Sequence, residues 1–224
     1  MPTLEEVAVV VGGTLPIADC SALAHFVRRV PAGGSILTLN GGVGRSPVVI
    51  ALTLKDMPGT DVRVTTMDDH VTQPNVPQPH LSGSLSTFVR YLDIYGIHQY
   101  VVPILQQPSY ATTLFPKKSF NLVVVEVKHG AGSFAESLRE LIEIGKYVCR
   151  TDGDLMLIRP ENMDAPTFND VLSWELGKST GFAEVARSSH SVVLRLGKKA
   201  PNEPPTRSNT RPAIPVANKR RGTK

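Results

Sequence analysis

The stretch Ser35–Pro47 constrains the fold more than any other part of the chain. A short apolar run, Ser35-Ile36-Leu37-Thr38-Leu39, ends in the turn Asn40-Gly41-Gly42-Val43-Gly44 and passes directly into Val48-Val49-Ile50-Ala51-Leu52. This is the layout of a buried strand, a tight loop and a helix start. Ser46 is placed to cap the helix and Pro47 to open it, where its missing N–H goes unpaired in any case. Glycines let a backbone approach a ligand closely, and a helix N-terminus offers free N–H groups and partial positive charge. Such a turn can hold part of a nucleotide or nucleoside. Glycine also serves a tight strand-to-helix turn that binds nothing, and both readings stay open at this point.

At 224 residues and 41% hydrophobic, the chain can bury one sizeable core. No run of 18 apolar residues occurs, so no membrane span is expected, and Glu5 and Glu6 replace the basic start of a signal peptide. Cys20 and Cys149 each sit in an apolar pattern and are expected to be buried free thiols, which fits a cytoplasmic protein. Charge is divided unevenly. From Lys198 onward eight basic residues face the single acid Glu203, so this tail carries +7 of a chain whose net charge is +4, and the body before it sums to about −3. A body of that sign is not built to bind nucleic acid, whereas the tail could touch RNA or an acidic partner.

Along the chain, Thr3-x-x-Glu6 has capping-box spacing for a first helix, and Asp19 is expected to cap a second. Val62–Met67 reads as a strand ending in Asp68-Asp69-His70, and the proline-rich segment from there to His80 as a loop at the strand ends. Leu85, Phe88, Val89, Leu92 and Ile94 mark a helix closed by Gly96. Tyr100–Leu105 is a third strand, and Pro103 favours for it a position near a sheet edge or makes it a strand start. Phe120–Val125 reads as a strand buried on both faces. Ser133 caps a long amphipathic helix, Asp152-Gly153 turns into a strand at Leu155–Ile158, and a helix follows from Pro166 to Leu176. Phe182–Arg187 and Ser191–Leu196 are too close in sequence for a crossover and form an antiparallel hairpin. The expected architecture is α/β: a doubly wound, mostly parallel sheet with helices on both faces and a C-terminal antiparallel pair, spanning residues 1–199. Residues 200–224 read as a disordered, Pro-rich basic tail.

On these motifs, the body from residue 19 to 198 resembles the class I S-adenosylmethionine-dependent methyltransferases, in particular the small bacterial-type branch. Thr38-Leu39-Asn40-Gly41-Gly42-Val43-Gly44 stands where that family has an acidic residue and three spaced glycines. Met67-Asp68-Asp69 stands where an acid ends strand two, Ser119–Glu126 resembles the strand-four motif, Val127-Lys128-His129 resembles the turn after it, and the closing hairpin matches the family's strand order. The chain departs from the pattern at Thr38, Asn40 and Glu126. Arg159-Pro160-Glu161-Asn162 replaces the Asp-Asn pair of metal-dependent members, so no metal is implied, and Arg159 replaces the lysine of the RNA 2′-O type.

The resemblance implies S-adenosylmethionine as cofactor. Asn40, Gly41, Gly42 and Gly44 would approach its methionine end, Asp68 or Asp69 would accept the ribose hydroxyls, and Gln106 or Gln107 would meet the adenine. A nicotinamide site is disfavoured, because Pro47 breaks its glycine pattern. The catalytic candidates are His129, a neutral imidazole able to take a proton near pH 7, and Glu126, an acid at the end of an apolar strand. His25, His80, His98 and His190 carry no partner pattern. The activity so implied is methyl transfer to a hydroxyl or amine of a small-molecule acceptor, a reaction that depends mostly on alignment. The alternative is a non-catalytic binding or scaffold protein of the same fold, associated with nucleic acid through its tail.

Overall fold

The computed structural model describes residues 3–57, 59–70, 84–128, 133–160, 162–178 and 181–197. His129, most of the proline-rich segment, and the tail from Lys198 lie outside the described residues. Among the described residues the α-helices and strands follow one another as α1 (Leu4–Val10), α2 (Ile17–Arg28), β1 (Ser35–Leu39), α3 (Arg45–Lys55), β2 (Arg63–Met67), α4 (Ser84–Tyr95), β3 (Val101–Ile104), α5 (Ala111–Leu114), β4 (Phe120–Glu126), α6 (Phe134–Val148), β5 (Cys149–Ile158), α7 (Ala165–Lys178), β6 (Phe182–Arg187) and β7 (Ser191–Leu196). The strands form one sheet in the order β3-β2-β1-β4-β5-β7-β6. All neighbours from β3 to β5 are parallel, and β7 enters antiparallel between β5 and β6.

Both faces of the central strands are apolar because both are covered. Ile36, Val124 and Ile158 point into a core shared with α1 to α4, while Leu37, Val125 and Leu157 point into one shared with α6 and α7. β3 is the edge strand, and Pro103 sits in it without removing a ladder bond from an interior strand. Cys20 and Cys149 are buried free thiols, and burial pushes them up to about 11 and about 12. Among the described residues no helix is long and apolar enough to cross a membrane.

Three local expectations give way to tertiary ones. Asp19 does not cap α2, whose N-cap is Pro16; it lies buried in the first turn and accepts a hydrogen bond from the Ser188 hydroxyl at 2.7 Å. Ser46 does not cap α3. Gly44 does, with φ 116°, and the buried Ser46 hydroxyl points elsewhere. β5 begins at Cys149 rather than Leu155, because Asp152 (φ 66°) and Gly153 form a bulge within it rather than a turn before it. By contrast Thr3 and Ser133 form the full reciprocal capping boxes with Glu6 and Glu136.

Candidate functional site

The strand order sets the carboxyl ends of β3, β2, β1 and β4 side by side, about 4.8 Å apart. The chain segments that follow them meet in one row: Gln106 and Gln107, Asp68 and Asp69, the turn Asn40–Gly44, then Glu126 and Lys128. This is the edge of an open α/β sheet at which ligands bind.

The turn is shaped by its own residues. Asn40 adopts φ 62°, a left-handed geometry that asparagine tolerates, so the loss of the first glycine leaves the path of the turn intact. Its amide nitrogen donates to the Glu126 carbonyl at 3.2 Å and its backbone N–H to Met67 at 3.0 Å, tying the ends of β4 and β2 to β1. Gly44 must be glycine: a Cβ there would stand 2.4 Å from the Phe88 ring. Gly41 is packed on Pro47. At Gly42 (φ 55°) a Cβ would meet nothing within 4 Å, so the turn presents bare backbone to open space. Thr38, in the acidic residue's place, is buried, and its hydroxyl has no hydrogen-bond partner.

Asp68 closes β2 and is only 3% exposed. One oxygen accepts the N–H of Gly42 at 2.9 Å and the ammonium of Lys128 at 2.8 Å; the other accepts the N–H of His70 at 2.8 Å. Burial opposes ionisation, but Lys128 and the two backbone N–H groups outweigh it and hold the carboxyl below its ordinary value. The acid is therefore a permanent anion braced against the turn. His70 stacks on Phe88 with ring centroids 6.1 Å apart, and burial lowers its affinity for a proton. Asp69 is half-buried beside it, and Gln106 and Gln107 are exposed beyond β3.

Glu126, on the other side of β1, is 2% exposed and faces α3. Ser46 donates to its Oε1 at 2.5 Å, and Thr14 donates to its Oε2. Burial raises the carboxyl to about 7, against the pull of the Ser46 hydroxyl and of Lys128. Thr14 belongs to the segment between α1 and α2, which Arg45 also fastens by donating to the carbonyls of Val11 at 2.7 Å and Leu15 at 2.6 Å. Glu126 and Arg45 thus clamp the N-terminal segment onto the glycine turn.

The structure brings Asn40, Gly41, Gly42, Gly44, Asp68, Asp69 and Glu126 together at one sheet end, with Gln106 and Gln107 at its margin. Sequence reading assigned no role to Thr14, Lys128 or Phe88, and took Ser46 for a helix cap. No spacing rule finds them, since Thr14 and Glu126 are 112 residues apart and Lys128 and Asp68 are 60 apart. Among the described residues no group of three His, Cys, Asp or Glu side chains could hold a metal ion.

Neither a protein-family model nor a curated protein matches the sequence. Solved structures do match in fold. An S-adenosylmethionine-dependent O-methyltransferase from Thermotoga maritima superposes with a TM-score of 0.64 at 13% identity, over 90% of this chain and 74% of that one. A protein from Corynebacterium glutamicum does so with a TM-score of 0.59 at 15% identity, over 88% and 89% of the two chains. A Streptococcus mutans protein named as a candidate methyltransferase, solved with S-adenosylhomocysteine, gives 0.52 at 10% identity, over 78% and 94%. With these superpositions and the strand order β3-β2-β1-β4-β5-β7-β6, the chain has the fold of the class I S-adenosylmethionine-dependent methyltransferases.

Proposed function

We propose that the protein is an S-adenosylmethionine-dependent methyltransferase acting on a hydroxyl or amine of a small-molecule acceptor. The observation that carries this reading is the ionised Asp68 carboxylate, held at the end of β2 against the N–H of Gly42, where the turn faces open space. A carboxylate beside bare turn backbone suits the paired hydroxyls of a ribose. Bound there, the cofactor supplies an electrophilic methyl group. The chain's own residues bind and orient it: the Asn40–Gly44 backbone borders the methionine end, Asp68 accepts the ribose hydroxyls as Lys128 gives way, and Gln106 or Gln107 meets the adenine. Asp69 serves as a further acceptor beside the ribose. Glu126, closed in by Thr14 and Ser46, acts as a positioning residue for the turn, and His129 takes the acceptor's proton.

Calorimetric titration of the full chain with S-adenosylhomocysteine tests the reading. Micromolar binding that is lost in Asp68→Ala supports it; no heat from a folded sample removes it. One observation favours a second reading. Lys128 already occupies an oxygen of Asp68, and in a non-catalytic binding or scaffold protein that pair would simply lock the cleft. Failure to bind the product cofactor would favour this second reading, with the basic tail as the place to seek an RNA or acidic partner.

A further inference from the structure

Beyond the carboxyl end of β5 the chain turns at Arg159, and a cavity of about 120 Å³ lies there between the start of α7 and the turn joining β6 to β7. Arg159, Ala165, Arg187, Ser188, Ser189 and His190 are among the residues that line it. Arg159 is only 8% exposed. One terminal nitrogen donates to the carbonyl of Met163 and the other to that of Ser189 at 3.3 Å, while its buried Nε has no hydrogen-bond partner.

Among the described residues no carboxylate pairs with this guanidinium. Two other arginines of the chain differ: Arg139 grips Glu175 at 2.8 and 2.9 Å, and Arg195 grips Asp154 at 2.9 and 3.0 Å. Among the described residues, the acids around the cavity have other hydrogen-bond partners. Both oxygens of Asp164 accept from Thr167 at 2.8 Å, Asp19 accepts from Ser188, and Glu184 holds Arg187. The hydrogen-bond partners of Arg159 are carbonyls, and the Asp164 carboxylate acts on it only through space while bonded to Thr167. A buried cation so placed is costly, and an oxyanion in the cavity would offset that cost. The positive end of α7, a helix of 14 residues, borders the same space through Ala165.

We propose that this cavity is the subsite for an acidic group, carboxylate or phosphate, carried by the methyl acceptor. The assignment rests on the methyltransferase reading for its role but not for its chemistry. In register, Ile158 pairs with Glu126, and the N–H of Val127 donates to the carbonyl of Ile158 at 3.0 Å. Arg159 therefore stands one strand from the Glu126–Lys128 turn and two from the glycine turn, roughly 10 Å at the usual strand spacing. A small acceptor anchored by its acid at Arg159 spans that gap and presents a hydroxyl or amine to the cleft. The acceptor class that follows is a hydroxy- or amino-substituted acid or phosphate ester.

The test is a titration of the isotope-labelled full chain with inorganic phosphate, and in parallel with acetate, at constant ionic strength with chloride as control. Backbone amide signals of Ala165, Ser189, His190 and Ser191 are followed. Saturable shifts at these amides with phosphate or acetate but not chloride, weakened at least tenfold in Arg159→Gln, are the expected result; which anion saturates first identifies the acid. Shifts that do not saturate, that chloride reproduces, or that spread evenly over surface lysines overturn the subsite. Should Arg159→Gln fail to fold, Arg159→Lys keeps the charge without the fork, and the wild-type signals decide on their own. S-adenosylhomocysteine is titrated separately against the signals of Gly42 and Asp68. Product-cofactor binding with no anion response overturns the subsite and leaves the methyltransferase reading standing. An anion response without product-cofactor binding overturns the acceptor role.

Discussion

Asp68 and Glu126 close the two strands that flank β1, and they are nearly equally buried, at 3% and 2% exposed. Their charges nonetheless behave in opposite ways. Asp68 faces an ammonium and two backbone N–H groups and stays ionised; Glu126 faces two neutral hydroxyls and is pushed up to about 7. Burial alone therefore does not fix the charge of a carboxyl at this sheet end; the partners it meets do. The outcome is one permanent anion beside open backbone and one acid that changes charge near neutrality beneath a closed segment. The first is suited to holding a polar ligand, the second to holding the protein together.

Several substitutions sharpen or break that contrast. The largest effect is expected on cofactor affinity. On the proposed reading, Asp68→Ala removes the charged acceptor of the two ribose hydroxyls, worth about 3 kcal/mol or more, and should weaken S-adenosylhomocysteine binding at least about 100-fold. Gly42→Asp, which sets a second carboxylate beside Asp68, should do the same. Glu126→Gln should leave affinity within about threefold, and equal losses in both positions would erase the distinction.

Stability against pH comes next. The folded state raises Glu126 above its ordinary 4.5, so its contribution is fully present below that pH and is lost as pH rises through about 7. At about 1.4 kcal/mol per pH unit this amounts to at most about 3.5 kcal/mol. Asp68 is lowered from 3.8, so its contribution is present above that pH and is lost only as pH falls through the depressed value. Urea midpoints measured from pH 4.5 to 8 should decline in the wild type and flatten in Glu126→Gln; a flat wild-type profile would refute the buried-acid assignment.

Thr14→Val, which takes one hydroxyl from Glu126, should cost about 1–2 kcal/mol and speed amide exchange in residues 11–15. The smallest change is expected from Lys128→Met. Its side chain is 45% exposed, so stability should move by less than about 1 kcal/mol, while the Asp68 carboxyl, followed by its carbon resonance, should titrate at higher pH. An unmoved Asp68 would mean that its two backbone donors alone keep it ionised.

Most of the elements were legible in the sequence, because buried parallel strands and glycine-punctuated turns leave local marks; the four-residue α5 and the early start of β5 were not. Pro103 narrowed β3 to a sheet edge or a strand start, of which the edge is found, and the closing hairpin was readable from the shortness of its turn. What failed was local reasoning applied to buried polar residues. Thr3 and Ser133 cap their helices as their spacing implies, since each is exposed and has a glutamate three residues on to reciprocate. Asp19 and Ser46 looked equally suitable, but both are buried, and there distant partners, Ser188 and Glu126, claim their oxygens. The same blindness hid Lys128: a lysine two residues past a strand gives no sign that it crosses the sheet end to Asp68. Candidate residues were thus found by type and position, and their actual partners only by the fold.

The Thr14–Glu126 bond also bears on how the chain reaches its native state. It joins residues separated by 112 positions, and the strand that carries Glu126 is held beside β1 by a pairing, Ile36 with Leu122, that itself spans 86 positions. Loop-closure entropy makes such pairings slow and late. This sheet end is therefore expected to be completed late in folding, and no fragment ending before Glu126 can contain it. A ligand bound at this sheet end would accordingly report on the whole sheet, so that a partly folded chain would be silent in any assay of the site.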